Sequence, residues 1–220
     1  MESARADVLI ETLMADATGA IAAWPWHAAR LTHSAAALGF AAVPGNVHEQ
    51  VLAHALSGQP SRIRLLFARD GAVTIKAAPL GALALPAHAR LAQQVLGAHA
   101  VLRSQEPLLR HKLTYRPWYA EAAAWLATHP ADFDLLFANE RGELCEGSRT
   151  NVYVKQDGVW LTPELMAGCL PGTQRAALLA QGHVRTARLT LNDLRDAQAT
   201  RLSNGLRGWF DVEVAWPEST

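Results

Sequence analysis

The chain is short of cysteine, of lysine and of net charge, and each shortage narrows what it can be. Only two cysteines occur in 220 residues, Cys145 and Cys169, and they lack close metal-ligand spacing. Neither a disulfide framework nor a thiolate metal site is expected, and both thiols read as buried and reduced. Twenty basic residues balance twenty acidic ones for a formal net charge of zero, with no basic run. That removes the electrostatic footprint of a nucleic-acid binder. No apolar stretch reaches the roughly 20 residues that span a bilayer, and the start, MESARADVLIETLM, carries acids where a leader would carry an apolar core. The expectation is a cytoplasmic protein that works on a small molecule, without nucleic acid, membrane or metal. Also missing are GxGxxG, Walker, HExxH, CxxC and GxSxG patterns, so dinucleotide, phosphoryl-transfer, zinc and serine-hydrolase chemistry lose their usual supports.

What is present is apolar and well punctuated. Half of the residues are hydrophobic, enough for a sizeable core, and the length suits two lobes. A smaller amino-terminal lobe over 1–105 and a larger carboxy-terminal lobe over 106–220 are expected, with Ser104 to Leu109 as the crossing. Asp70-Gly71 between two alternating runs predicts a hairpin from Arg62 to Ala78. The same grammar places turns at Asn139 to Gly142 and at Asp157-Gly158, so three consecutive strands are expected through residues 135–163. Helices are predicted over Pro25 to Leu38, closed by Gly39, over Trp118 to Thr128, and over Thr173 to Ala180, closed by Gly182. Leu85 to Val101 is ambiguous between helix and strand by period. Antiparallel hairpins interspersed with single helices predict an α+β fold, not a parallel doubly wound sheet.

Five polar groups could carry chemistry: His27 with Arg30; Lys112 after Arg110-His111; Glu146 with Asn151; the Leu170-Pro-Gly-Thr-Gln-Arg175 turn; and Ser203-Asn204-Gly205. A proline-glycine step into a helix exposes backbone amides at the positive end of the helix dipole, which suits an anion such as phosphate. Gly172, Thr173 and Gln174 supply those amides, Ser203 and Asn204 add side-chain partners, and Arg30 adds a bidentate charge. Each has a blander reading: Pro-Gly is often only a turn, and an arginine on an amphipathic helix often only a solvated face. Lysine is scarce, only Lys76, Lys112 and Lys155. Lys112 lies in sequence among Leu108, Leu109, Leu113, Trp118 and Tyr119, where partial burial makes an amine a nucleophile for a carbonyl. Glu146, at the edge of a small polar loop, is either an exposed residue where a strand begins or the counter-charge that keeps a pyridine nitrogen protonated. Seven tryptophans, Trp24, Trp26, Trp118 and Trp209 among them, read as core packing before they read as a stacking surface.

Lys112, Glu146-Gly-Ser-Arg-Thr-Asn151 and Leu170-Pro-Gly-Thr-Gln-Arg175, in this order, resemble the class IV aminotransferase family, the fold type IV enzymes that use pyridoxal 5'-phosphate. The stretches HAARLTHSAAALGF, LLRHKLTYRPWYAEA, GCLPGTQRAALL and LSNGLRGWFDVEV extend the likeness from about Val8 to Val214. Within the family the chain is most similar to the aminodeoxychorismate lyase branch, especially lyase domains fused behind an aminodeoxychorismate synthase. The resemblance implies a two-lobed fold with mostly antiparallel sheets and a homodimer. It implies that Lys112 forms a Schiff base, that Glu146 contacts the pyridine nitrogen, and that Arg30, Thr173, Gln174 and Asn204 hold the phosphate. The implied activity is conversion of 4-amino-4-deoxychorismate to 4-aminobenzoate and pyruvate in folate biosynthesis. A branched-chain or D-amino-acid transaminase of the same fold is the alternative, and a silent cofactor-binding protein a further one. Met14 stands where relatives often carry a basic residue after ETL, which bears on substrate contacts.

Overall fold

The structure, a computed structural model, describes residues 8–216; residues 1–7 and 217–220, which the expected lobes include, lie outside the described residues. Backbone contacts divide the chain into two compact units. One runs to Ala82 and includes His111–Tyr115; the other comprises Leu83–Arg110 and the chain from Arg116 onward. The expected boundary near residue 105 and the expected crossing at Ser104 to Leu109 therefore fall inside the second unit. The reason is that residues 83–110 contribute an interior strand to its sheet and a buried leucine, Leu109, to its core.

The first unit is a three-stranded antiparallel sheet of β1 (Leu9–Ala15), β2 (Ser61–Phe67) and β3 (Val73–Pro79), with β2 central. The predicted hairpin forms in register from Ser61 opposite Pro79 to Phe67 opposite Val73. Its turn places Gly71 at φ 92°, and the Asp70 carboxylate accepts the Ala72 amide at 3.0 Å, the local bond that suits aspartate to turns. Ile63, Leu65 and Phe67 are buried while Arg62 and Arg64 are exposed, the period of two expected of a half-covered strand. Helix α1 (Trp24–Ala37) starts with Pro25 in its first turn and stops where Gly39 turns left-handed at φ 70°, with the Phe40 amide donating back to Ala35 O at 2.9 Å. A short helix, α2 (Val47–Leu52), buries Val47 and Val51. Residues 111–115 run antiparallel to β1: Ile10 donates to Lys112 O and Thr114 to Val8 O, both at 2.9 Å.

The second unit is an eight-stranded mixed sheet. In chain order its strands are β4 (Ala87–Leu91), β5 (Asp134–Ala138), β6 (Leu144–Gly147), β7 (Asn151–Gln156), β8 (Val159–Pro163), β9 (Arg185–Ala187), β10 (Ala199–Asn204) and β11 (Gly208–Ala215). In space they run β6-β5-β4-β11-β10-β7-β8-β9. Three pairings are parallel, β4 with β5, β4 with β11 and β8 with β9, and the rest antiparallel, as the α+β expectation requires. The outer edge of β6 meets residues just past β9: Leu144 donates to Leu189 O at 2.8 Å and Glu143 bridges Thr190. The sheet thus curls until its ends meet. Leu91, Leu136, Val152, Val154, Leu202 and Phe210 are in its main core.

The ambiguous stretch resolves as both states, β4 followed by helix α3 (Ala92–Leu96). The predicted Trp118–Thr128 helix is a 3-10 turn, Pro117–Tyr119, leading into α4 (Ala120–Thr128). Helix α5 (Thr173–Ala180) has the predicted span, with Gly172 as its N-cap residue and Gly182 at φ 71° after it. Helix α6 (Leu191–Arg195) is closed at its start by a capping box between Thr190 and Asp193. Trp118 and Trp209 pack against core clusters, as expected of large aromatics. Among the described residues no helix is long and apolar enough to cross a membrane.

Candidate active site

Each unit carries its own group of buried polar residues. In the first, Glu11 on β1 is 2% exposed, on the same strand face as Leu9, Leu13 and Ala15. It accepts from Arg30 twice, Nε to Oε1 at 2.8 Å and Nη2 to Oε2 at 2.5 Å, and its Oε2 lies 2.6 Å from His27 Nδ1. Burial pushes the Glu11 carboxyl up. The Arg30 charge and the His27 and Arg30 hydrogen bonds outweigh it and hold the group at about 2. The Arg30 side chain is 8% exposed, so the solvated-face reading is corrected: α1 turns His27 and Arg30 inward because a buried carboxylate awaits them. Arg30 presents an anion only with donors outside this bidentate pair. His111 bonds through Nδ1 to Ser34 Oγ at 2.9 Å, a structural tie between its segment and α1. Lys112 is half-buried beside β1, while Lys76 is exposed on β3. Met14 is exposed opposite Arg62.

In the second unit Glu146 is 3% exposed, which corrects the reading of it as a surface acid. It stands opposite Phe137 near the end of β6, on the sheet face that Tyr119 covers. Tyr119 donates its hydroxyl to Oε1 at 2.6 Å; the Leu170 amide and Asn151 Nδ2 donate to Oε2 at 3.0 and 3.3 Å. Three donors on two oxygens are the partners an ionised carboxylate takes. Burial first, then the Glu146 charge, pushes the Tyr119 hydroxyl well above its ordinary range, so it remains a donor. Asn151 also donates to Leu170 O at 2.9 Å. A Cβ built on Gly172 would fall 1.9 Å from Asn151 Oδ1, so only glycine allows the chain to pass there into α5. No side chain caps α5, whose first residues are Thr173, buried, and Gln174, half-buried. Glu146, Asn151 and the Gly172 step are therefore one contiguous cluster.

The second predicted turn touches the loop that joins Glu146 to Asn151. Asn204 Oδ1 accepts the amides of Leu206 and Arg207 at 3.0 and 2.8 Å, and its Nδ2 donates to Arg149 O at 3.4 Å. Ser203 is buried, its hydroxyl 2.7 Å from that of Tyr153. Arg175 is buried and donates to Pro163 O at 2.8 Å. Cys145 and Cys169 are free, buried thiols; burial pushes Cys169 up to about 12 and Cys145 further, which makes both poor nucleophiles. Three buried polar residues here are not among the sequence candidates for chemistry: Glu11, Tyr119, which enters the sequence only as an aromatic neighbour of Lys112, and Asp134. Glu11 had a signal, an acid at the period-two apolar positions of its strand, and so did Asp134, an acid heading the run Leu135-Leu136-Phe137. Tyr119 had none, since its partner is 27 residues away.

The chain matches the family model described as "Amino-transferase class IV" over residues 8–214. It is 28% identical over 208 residues to a Schizosaccharomyces pombe protein named "Putative aminodeoxychorismate lyase", covering 90% of this chain and 86% of that one. It is 32% identical over 130 residues to the Saccharomyces cerevisiae "Aminodeoxychorismate lyase", covering 49% of this chain and 35% of that one. A crystal structure titled "Putative amino-acid aminotransferase" from Mesorhizobium loti superposes with a TM-score of 0.83 at 38% identity, covering 95% of this chain and all of that one.

Proposed function

The chain belongs to the class IV amino-transferase family, and from that premise we propose that it is a pyridoxal-phosphate-dependent lyase that converts 4-amino-4-deoxychorismate to 4-aminobenzoate and pyruvate. The observation that carries the cofactor reading is Glu146, a carboxylate buried among three donors and next to a step that only glycine can occupy. The residues present fit the group: an oriented acid for a pyridine nitrogen, an uncapped eight-residue helix start for a phosphate, and a lysine for an aldehyde. When bound, pyridoxal phosphate supplies an aldehyde for a primary amine and a protonated ring that accepts electrons.

In this reading Lys112 would be the residue that holds the cofactor's aldehyde carbon, and its amine would take the proton from the substrate ring carbon bearing the amino group and return it to the methylene carbon of the departing enolpyruvyl group. The C–O bond to that group breaks, the ring becomes aromatic, and the proton is conserved, so no water or second substrate is consumed. The Glu146 carboxylate keeps the pyridine nitrogen protonated, and Asn151 keeps Glu146 oriented. Arg30, Gly172, Thr173, Gln174, Ser203 and Asn204 hold the phosphate. The reading extends to a homodimer in the cytoplasm and to a functional link with an aminodeoxychorismate synthase, the activity that supplies this substrate.

The S. pombe relative, similar over nine-tenths of this chain, favours the lyase. The M. loti structure favours the alternative, transamination of branched-chain or D-amino acids. The deciding experiment loads the protein with pyridoxal phosphate, reduces it with borohydride and locates the label by peptide mass spectrometry. It then measures 4-aminobenzoate and pyruvate with and without 2-oxoglutarate. Label on Lys112 and equal release of both products without an acceptor are expected. Turnover only with 2-oxoglutarate identifies the transaminase, absence of label refutes the enzyme reading, and Lys112→Ala abolishes either activity.

A further inference from the structure

Asp134, the first residue of β5, is 0% exposed. Its Oδ1 accepts the Leu135 amide at 2.8 Å and the Ser148 hydroxyl at 2.6 Å; its Oδ2 accepts the Thr150 hydroxyl at 2.7 Å and the Arg149 amide at 3.2 Å. Three of these four donors come from one short loop, residues 148–150, which joins the end of β6 to the start of β7. The carboxylate is packed so closely that a Cβ on Gly147 would fall 2.2 Å from Oδ2 and 2.5 Å from Thr150 Oγ1. Burial pushes the Asp134 carboxyl up, against the Ser148 and Thr150 hydroxyls. A buried acid is a costly way to close a loop when solvated polar residues suffice.

What the loop holds at its ends explains the expense. Glu146 immediately precedes Gly147 and Asn151 follows Thr150, and the two bond to each other across the loop. Its middle residue, Arg149, offers the carbonyl that takes Asn204 Nδ2. β6 and β7 are not paired in the sheet, so no strand ladder sets the spacing of Glu146 from Asn151. We infer that Asp134 is a positioning residue: through Ser148, Arg149 and Thr150 it fixes the loop that sets Glu146 against Asn151 and ties both to the Asn204 turn. The inference rests on the cofactor reading above for its consequence, but the pin itself is testable without the cofactor.

Arg149 is exposed, so trypsin reports on the loop directly. The test compares wild type, Asp134→Asn and, as a destabilised control, Leu136→Ala, which shortens a buried neighbour on the same strand. Two readouts are taken: the rate of native-state cleavage after Arg149 without cofactor, and pyridoxal-phosphate affinity with the pH dependence of its visible absorbance. Asp134→Asn is expected to be cleaved at least tenfold faster than Leu136→Ala and to bind the cofactor about tenfold more weakly, with a shifted absorbance titration. Should Asp134→Asn yield no folded protein, the pair Ser148→Ala and Thr150→Val removes two donors and is read the same way. Cleavage and affinity equal to those of Leu136→Ala overturn the pin. If wild type fixes no cofactor with borohydride, the enzyme reading fails instead, and the tryptic comparison still decides whether Asp134 holds the loop.

Discussion

Replacing Glu11 by glutamine tests the electrostatics of the first unit most severely. The carboxyl is held at about 2 against an ordinary value of 4.5. At about 1.4 kcal/mol for each pH unit between the two values, the difference is worth about 3 kcal/mol. Because the folded value is the lower one, that stability is fully present above pH about 4.5 and is lost as the pH falls from there toward 2. Glutamine keeps the shape and removes the charge, so the Arg30 guanidinium stays buried without its carboxylate, a loss of about 3–5 kcal/mol for a broken buried pair. Urea denaturation at pH 7, followed by tryptophan fluorescence from Trp24 and Trp26, should show the midpoint of this unit falling accordingly. Repeating the titration at pH 4 and pH 3 should show wild type weakening toward the variant. A Glu11→Gln protein within 1 kcal/mol of wild type at pH 7, or a gap between the two that does not shrink on acidification, refutes the reasoning.

Further changes have outcomes fixed by single contacts. Tyr119→Phe removes the 2.6 Å donor from Glu146 and should cost about 1–3 kcal/mol by thermal melting, with cofactor binding weakened several-fold by absorbance titration. Gly172→Ala drives a methyl into Asn151 Oδ1; about 1–3 kcal/mol of overpacking is expected, and a crystal structure should show Asn151 turned away from Glu146. Thr190→Ala breaks the capping box of α6 and should cost about 1 kcal/mol while leaving cofactor affinity unchanged, which separates general stability from the site.

Features written in a few adjacent residues were legible in the sequence. The Asp70-Gly71 and Asp157-Gly158 turns, the α5 span after Gly172 and the end of α1 at Gly39 all follow from backbone preferences that act over one turn of chain. Glu146, Asn151 and the Gly172 step stand out in the sequence for the same reason, as polar and flexible residues interrupting apolar runs. Less legible was the state of 85–101, where strand and helix share an apolar pattern.

Partners far apart in sequence had to wait for the fold. Nothing local says that β4 lies between β5 and β11, or that β6 and β7, joined by three residues, belong at different places in the sheet. Nor does it say that Glu146 meets a tyrosine 27 residues earlier and Glu11 an arginine 19 residues later. The pattern of apolar and turn residues settled which segments become strands and helices, because those preferences are properties of neighbouring residues. Which acids are buried, and which donors make that burial tolerable, was decided only by tertiary packing, since excluding water from a carboxylate takes several chain segments closing around it at once.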